Sequence, residues 1–334
     1  MRTYFPMLIG NEETVRRLGD AVRGGILPHA HLIVGPSGSG KHTLALGIAA
    51  ALNCENADRE DLPLPCGICN TCRRIREGNF TDLRRLSHAD GRATIGVDEV
   101  RAFREDMFLS ATESAHKIYI IEEFDTATPQ AQNALLKTIE EPPAYAVILL
   151  LANNADRLLP TILSRCVRLN LKAVRDQDIR EYLMDKMKIP DYQADVSLKF
   201  AQGNVGKAVQ LASSETFAAM KDEALSLLHE TDRMELYELM DAVKKISDYK
   251  NDIDSFLDIV TIWLRDVLMF KATQDANSLI FREDLSAITA RARKSSYEGL
   301  EEMIQAVDRA RARLKANVNF DLVLELLLLT IKEN

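Results

Sequence analysis

The segment Gly35-Pro36-Ser37-Gly38-Ser39-Gly40-Lys41-His42 constrains this 334-residue chain more than any other. Its glycine spacing, closed by a lysine, is that of a phosphate-binding loop, in which backbone N–H groups and the start of the next helix cradle a phosphate. Such a loop needs a buried parallel strand before it and a helix after it. His31-Leu32-Ile33-Val34 reads as the strand, and the Ala/Leu-rich run from Thr43 to Leu52 as the helix. Gly35, Gly38, Ser39, Gly40, Lys41, His42 and Thr43 are therefore candidate ATP or ADP contacts. The final position breaks the pattern. A serine or threonine hydroxyl would ligate Mg2+ there, whereas the His42 imidazole is a poor ligand for an ion that prefers hard oxygens in octahedral geometry. Thr43 lies about 100° further round the helix and is expected to miss the metal.

Apolar runs at His31 to Val34, Asp82 to Leu86, Lys117 to Ile121, Ala146 to Leu151 and Val167 to Leu171 alternate with helical stretches. This predicts a parallel α/β domain with helices on both faces over residues 1–172. Beyond Lys172 the strand signal ends. Amphipathic segments at Asp176 to Met187 and Val196 to Ala201, punctuated by Gly203 and Gly206, predict a small helical domain over 173–213. Longer helices at Asp252 to Thr273, Ser296 to Ala316 and Phe320 to Lys332 predict a third, all-helical domain over 214–334. A net charge of -8 argues against a chain that coats nucleic acid unaided. The N-terminus lacks a charged-then-apolar signal pattern and the longest apolar run is too short to span a bilayer, so a cytoplasmic location is expected. In that reducing compartment the five cysteines are not expected to form disulfides.

Cys54, Cys66, Cys69 and Cys72 form a C-x11-C-x2-C-x2-C pattern directly after the loop's helix. Four thiolates so spaced can close a tetrahedral site, predicting a structural zinc module over 54–72 with no ligand position open for water. An iron–sulfur cluster is the competing metal, although the further Cys-Pro expected downstream is absent, and free buried cysteines are the bland alternative. Ile118-Tyr119-Ile120-Ile121-Glu122-Glu123 has the form of a strand ending in two acids at the ligand-binding edge of the sheet. The first acid of such a pair holds Mg2+ and the second polarises the attacking water. Glu122, where Asp is usual, is one methylene too long, while Glu123 is nominally correct. Two solvated acids at a strand end would look the same.

Leu163-Ser164-Arg165-Cys166 adds the last element. Together these motifs resemble the AAA+ superfamily, and within it the delta-prime family of bacterial DNA polymerase III clamp-loader subunits. Ile9-Gly10-Asn11-Glu12, His29-Ala30-His31-Leu32, Leu135 to Pro143 and the cysteine insertion resemble that family along the first half. Trp263-Leu264-Arg265-Asp266 and the stretch from Asn317 to Ile331 resemble its collar. The resemblance implies an AAA+ P-loop domain with a zinc-module insertion, a helical lid and a collar that holds five subunits in a ring. It implies that Arg165 is a finger supplied in trans to ATP on a neighbouring subunit, and that Asn153 is a first sensor. It further implies motor (gamma/tau) and delta subunits as partners, with the sliding clamp and primed DNA reached through the complex. His42, Glu122 and Gly206, the last standing where a motor carries its second-sensor arginine, depart together from the hydrolysing pattern. A subunit without ATPase activity of its own is the expectation. The alternatives are an active motor subunit of the same loader and an unrelated zinc-containing P-loop ATPase.

Overall fold

The structure, a computed structural model, describes residues 3–88 and 94–334. Contacts divide the chain into two compact units, 1–179 with 202–207 and 180–201 with 208–334. The 173–213 stretch is thus shared between the units, and the three-part division at 172 and 213 rests on the sequence.

In the first unit five parallel strands, β1 (Ala30–Val34), β2 (Leu83–Leu86), β3 (Lys117–Ile121), β4 (Ala146–Ala152) and β5 (Val167–Asn170), form one sheet in the order β2-β3-β4-β1-β5. All five predicted strands are present. The three central strands are buried along their whole length, as their unbroken apolar runs require when helices cover both faces. Side chains alternate between two cores. Ile33, Ile118, Ile120 and Leu149 pack with Leu44 and Ile48 on one face, and Leu32, Tyr119, Ile121 and Ile148 pack with Val100, Leu135 and Ile139 on the other. The helices involved are α1 (Glu12–Arg23), α2 (Lys41–Leu52), α3 (Asn70–Glu77), α4 (Val97–Met107), α5 (Pro129–Glu140) and the single turn α6 (Pro160–Leu163). The edge strands are short, and Arg84, Arg85 and Arg168 on them discourage further strand pairing.

The second unit is helical. Its core runs from Val196 and Phe200 through Phe217 and Trp263 to Val307 and Leu324, drawing on the helices Asp191–Ala201, Glu215–Glu230, Ile253–Thr273, Tyr297–Lys315 and Phe320–Glu333. The predicted helix from Asp176 is α-helical only to Glu181 and continues as a π-helix over Tyr182–Lys186. Among the described residues no helix is long and apolar enough to cross a membrane.

Candidate functional site

Gly35 to Gly40 link the end of β1 to α2, so the loop stands at the carboxyl edge of the sheet, where open α/β sheets bind ligands. Lys41 turns back onto this loop. Its Nζ donates to the carbonyls of Gly35 at 2.5 Å and Pro36 at 2.8 Å and to Asn153 Oδ1 at 3.0 Å, which uses all three of its donors. Burial pushes its pKa below the ordinary lysine value, against the opposing charges of Asp125 and Glu123. Among the described residues the buried Ser39 hydroxyl has no hydrogen-bond partner. Thr43 lies half-buried on α2.

The tip of the loop is covered from within the same unit. Asn204 Nδ2 donates to Ser37 O at 2.7 Å, and Gly206 N donates to Gly38 O at 2.9 Å. The two backbones approach so closely that a Cβ at Gly206 would lie 2.7 Å from both Cα and O of Gly38. Gly38, at φ +80°, in turn holds a left-handed conformation that glycine adopts without strain. Glycine at 206 therefore has a packing reason of its own, which reading it only as a lost second-sensor arginine overlooked. Lys207 is exposed, and its backbone N–H donates to Asn204 Oδ1 at 2.9 Å.

The acids at the end of β3 are engaged by histidines. His42 Nδ1 lies 3.2 Å from Glu122 Oε1, and that hydrogen bond holds Glu122 below the ordinary glutamate value although burial opposes it. The chain turns through φ +46° at Glu123, whose carboxylate lies 3.4 Å from His88 Nδ1. The acid that organises this edge is a third one, Asp125. It is buried and accepts the N–H groups of Asn153 at 2.9 Å and Asn154 at 3.2 Å, fixing Asn153 beside Lys41. The sequence reading passed over Asp125; its only signal was an acid two residues beyond the pair. One site thus gathers Lys41, His42, Glu122, Asp125 and Asn153, and its strongest donors and acceptors already face one another.

Arg165 belongs elsewhere. It precedes β5, which runs parallel to β1 in the register His31↔Val167 to Val34↔Asn170. The loop follows the carboxyl end of β1, so Arg165 stands at the opposite end of the sheet. At about 3.3 Å per residue the two backbones are separated by roughly 20 Å of strand, more than an arginine side chain spans. Its Nε pairs with Glu140, and its Nη1 donates to Thr161 O at 3.1 Å and Ser164 Oγ at 3.2 Å.

The four cysteines converge. All are buried, and their Sγ atoms lie within 4.8 Å of one another, with Cys66 and Cys72 at 3.9 Å. A tetrahedron of sulfurs about 2.3 Å from zinc has edges of about 3.8 Å, whereas a disulfide needs about 2.05 Å. Asn56 Nδ2, Cys69 N and Cys72 N point N–H groups at the sulfurs of Cys66, Cys66 and Cys69, each at 3.4 Å. Burial opposes ionisation of Cys66, yet the donors around its sulfur, Asn56, the N–H groups of Cys69 and Ile68 and the Cys54 thiol, bring it down to about 6. The donor set and spacing fit a metal ion, as structural zinc would require.

Comparisons with known proteins agree along both halves. A family described as DNA polymerase III, delta subunit, matches residues 10–175, and one described as DNA polymerase III, delta subunit, C terminal, matches residues 224–333. DNA polymerase III subunit delta' of Bacillus subtilis is 31% identical over 92% of this chain and 92% of its own length. Subunit tau of Escherichia coli is 31% identical over 67% of this chain, which spans only 37% of that protein. Among solved structures, a gamma-subunit-related protein of Thermotoga maritima aligns over 95% of this chain and 98% of its own at 19% identity, with a TM-score of 0.46. With delta' similarity running along 92% of both proteins, the chain belongs to the delta' family of DNA polymerase III clamp-loader subunits, built on an AAA+ sheet followed by a helical domain.

Proposed function

We propose that this subunit acts as the stator of its clamp loader, supplying Arg165 in trans to ATP held by an adjacent motor subunit while its own loop performs no hydrolysis. One observation carries this reading: Arg165 and the chain's own phosphate loop lie at opposite ends of parallel neighbouring strands. An arginine so placed cannot serve the site on its own chain, whereas its planar, permanently charged guanidinium suits the charge that develops on a phosphoryl group across an interface. The loop is in turn occupied by its own lysine and by the turn at Asn204 to Gly206, and His42 stands on Glu122 where Mg2+ would be needed. The helical domain would join delta and gamma/tau-type partners in a five-membered ring that opens a sliding clamp on primed DNA, with zinc held by Cys54, Cys66, Cys69 and Cys72 as a structural element.

The test is Arg165→Ala in the reconstituted loader. Assembly should persist, and hydrolysis at the one site served should fall by up to about 10³-fold. Arg165→Lys should not restore it, since a point charge on a flexible stem lacks the guanidinium fork. Assembly with wild-type hydrolysis and clamp loading in Arg165→Ala would remove the trans role. The competing motor reading draws on the intact Gly35-to-Lys41 spacing and the similarity to tau. ATP turnover by the isolated chain that Lys41→Ala abolishes would establish it.

A further inference from the structure

Glu140 is the last residue of α5, and Glu141 follows it. Carboxylates at a helix C-terminus face the negative end of the helix dipole, a placement that costs about 0.3–1 kcal/mol each. Termination does not account for an acid at 140, because Pro142-Pro143 already stops the helix. Nor does the core demand it, since the Glu140 side chain is 45% exposed. Its ion-pair partner is Arg165, whose guanidinium is divided between two uses. The Nε edge meets Glu140 and Nη1 meets Thr161 O and Ser164 Oγ, while Nη2 makes no hydrogen bond among the described residues. Three contacts, from α5, α6 and the Ser164 that caps α6, thus fix the guanidinium plane.

We propose that Glu140 is a positioning residue for the arginine finger: by holding the Nε edge of Arg165 it presents the Nη2 edge to the phosphate oxygens of ATP on the neighbouring subunit. This rests on the trans reading of Arg165. An ion pair this exposed adds little to stability, so the effect should appear in orientation and leave folding intact. Misplacing a reacting group by about 1 Å costs up to about 10²-fold. With the contacts to Thr161 and Ser164 still present, Glu140→Ala in the reconstituted loader should lower kcat at the served site about tenfold and leave KM for ATP unchanged. Glu140→Gln keeps an acceptor for Nε and should recover most of the loss. The double variant Glu140→Ala/Arg165→Ala should be no slower than Arg165→Ala alone, because Glu140 acts through that arginine.

A second measurement needs no hydrolysis. The Arg165 Nε–H resonance of the full-length chain, assigned by its disappearance in Arg165→Lys, should exchange slowly in the wild type and shift or broaden in Glu140→Ala. If Arg165→Ala slows the loader while Glu140→Ala matches wild type, the positioning role is overturned. If Arg165→Ala itself has no effect, the finger reading fails, and the Nε–H resonance alone decides whether Glu140 holds the arginine. An unchanged resonance in Glu140→Ala overturns that contact too.

Discussion

His42 Nδ1 stands 3.2 Å from Glu122 Oε1, so the two positions that would share a magnesium ion through a hydroxyl and an aspartate are joined directly instead. A cation bound there would have to break a hydrogen bond that already holds Glu122 in its ionised form. Mg2+ dehydrates reluctantly, and the His42 imidazole offers it no hard oxygen in place of the usual hydroxyl.

The isolated chain should therefore be indifferent to Mg·ATP. A site with a Kd of about 10 μM would add about 2.7 kcal/mol at about 1 mM ligand, which for a domain of this size raises Tm by roughly 5–10 °C. Thermal unfolding with and without Mg·ATP is expected to differ by about 1 °C or less. A larger shift that disappears in Lys41→Ala would show that the loop opens and binds.

Restoring the motor residues should not restore a motor. Any side chain at 206 places a Cβ 2.7 Å from the Gly38 backbone, which cannot swing aside as the far end of a flexible side chain would. Gly206→Ala should destabilise the first unit by about 1–3 kcal/mol, the usual cost of overpacking. Gly206→Arg should do at least as much without conferring ATP turnover on a His42→Thr/Glu122→Asp background. Chemical denaturation of each variant measures the first claim and a single-turnover assay the second. An unchanged midpoint for Gly206→Ala would mean that the turn at 204–206 is not held against the loop.

The sheet was legible in the sequence because its strands announce themselves as unbroken apolar runs beside a loop of fixed spacing. The convergence of the cysteines was legible for a similar reason, since the C-x11-C-x2-C-x2-C pattern is local. What could not be read were partnerships across long separations. Asp125 fixes Asn153, Asn204 reaches Ser37, and Glu140 meets Arg165, and none of these acids and amides has a spacing that marks it. Gly206 was read through what it lacks. Its backbone contact with Gly38 is a property of the folded chain alone.

The purified, reduced chain should carry one zinc per molecule, measurable by elemental analysis. Cys69→Ser removes one of four thiolates while its hydroxyl can still accept the Cys72 N–H at the start of α3, so it should abolish stoichiometric zinc and cost a few kcal/mol locally through the lost metal. Arg165-dependent activation of the loader should survive, since none of the five sheet strands carries these cysteines. Iron in place of zinc, or metal-free protein under reducing conditions, would refute the assignment.

Asp82 should govern the acid limit of the first unit. It is fully buried at the entrance to β2 and accepts the backbone N–H groups of Thr112, Glu113 and Ser114 at 2.8, 2.9 and 3.0 Å, with the Ser114 hydroxyl at 2.7 Å. Burial alone would raise its pKa, but the four donors outweigh burial and hold it below the ordinary aspartate value. A carboxyl group depressed on folding stabilises fully above its unfolded pKa of about 3.9, and that contribution is lost as the pH falls through the folded value. The stability gap between wild type and Asp82→Asn should therefore be constant from pH 7 to about 5 and close progressively below about pH 4. Asp82→Ala leaves three backbone donors near β2 without their acceptor and should cost about 2–4 kcal/mol at pH 7. Urea unfolding across this pH range reads both effects. A gap between wild type and Asp82→Asn that stays constant down to pH 3 would show that the ionised carboxylate is not what pins the 112–114 backbone to the sheet.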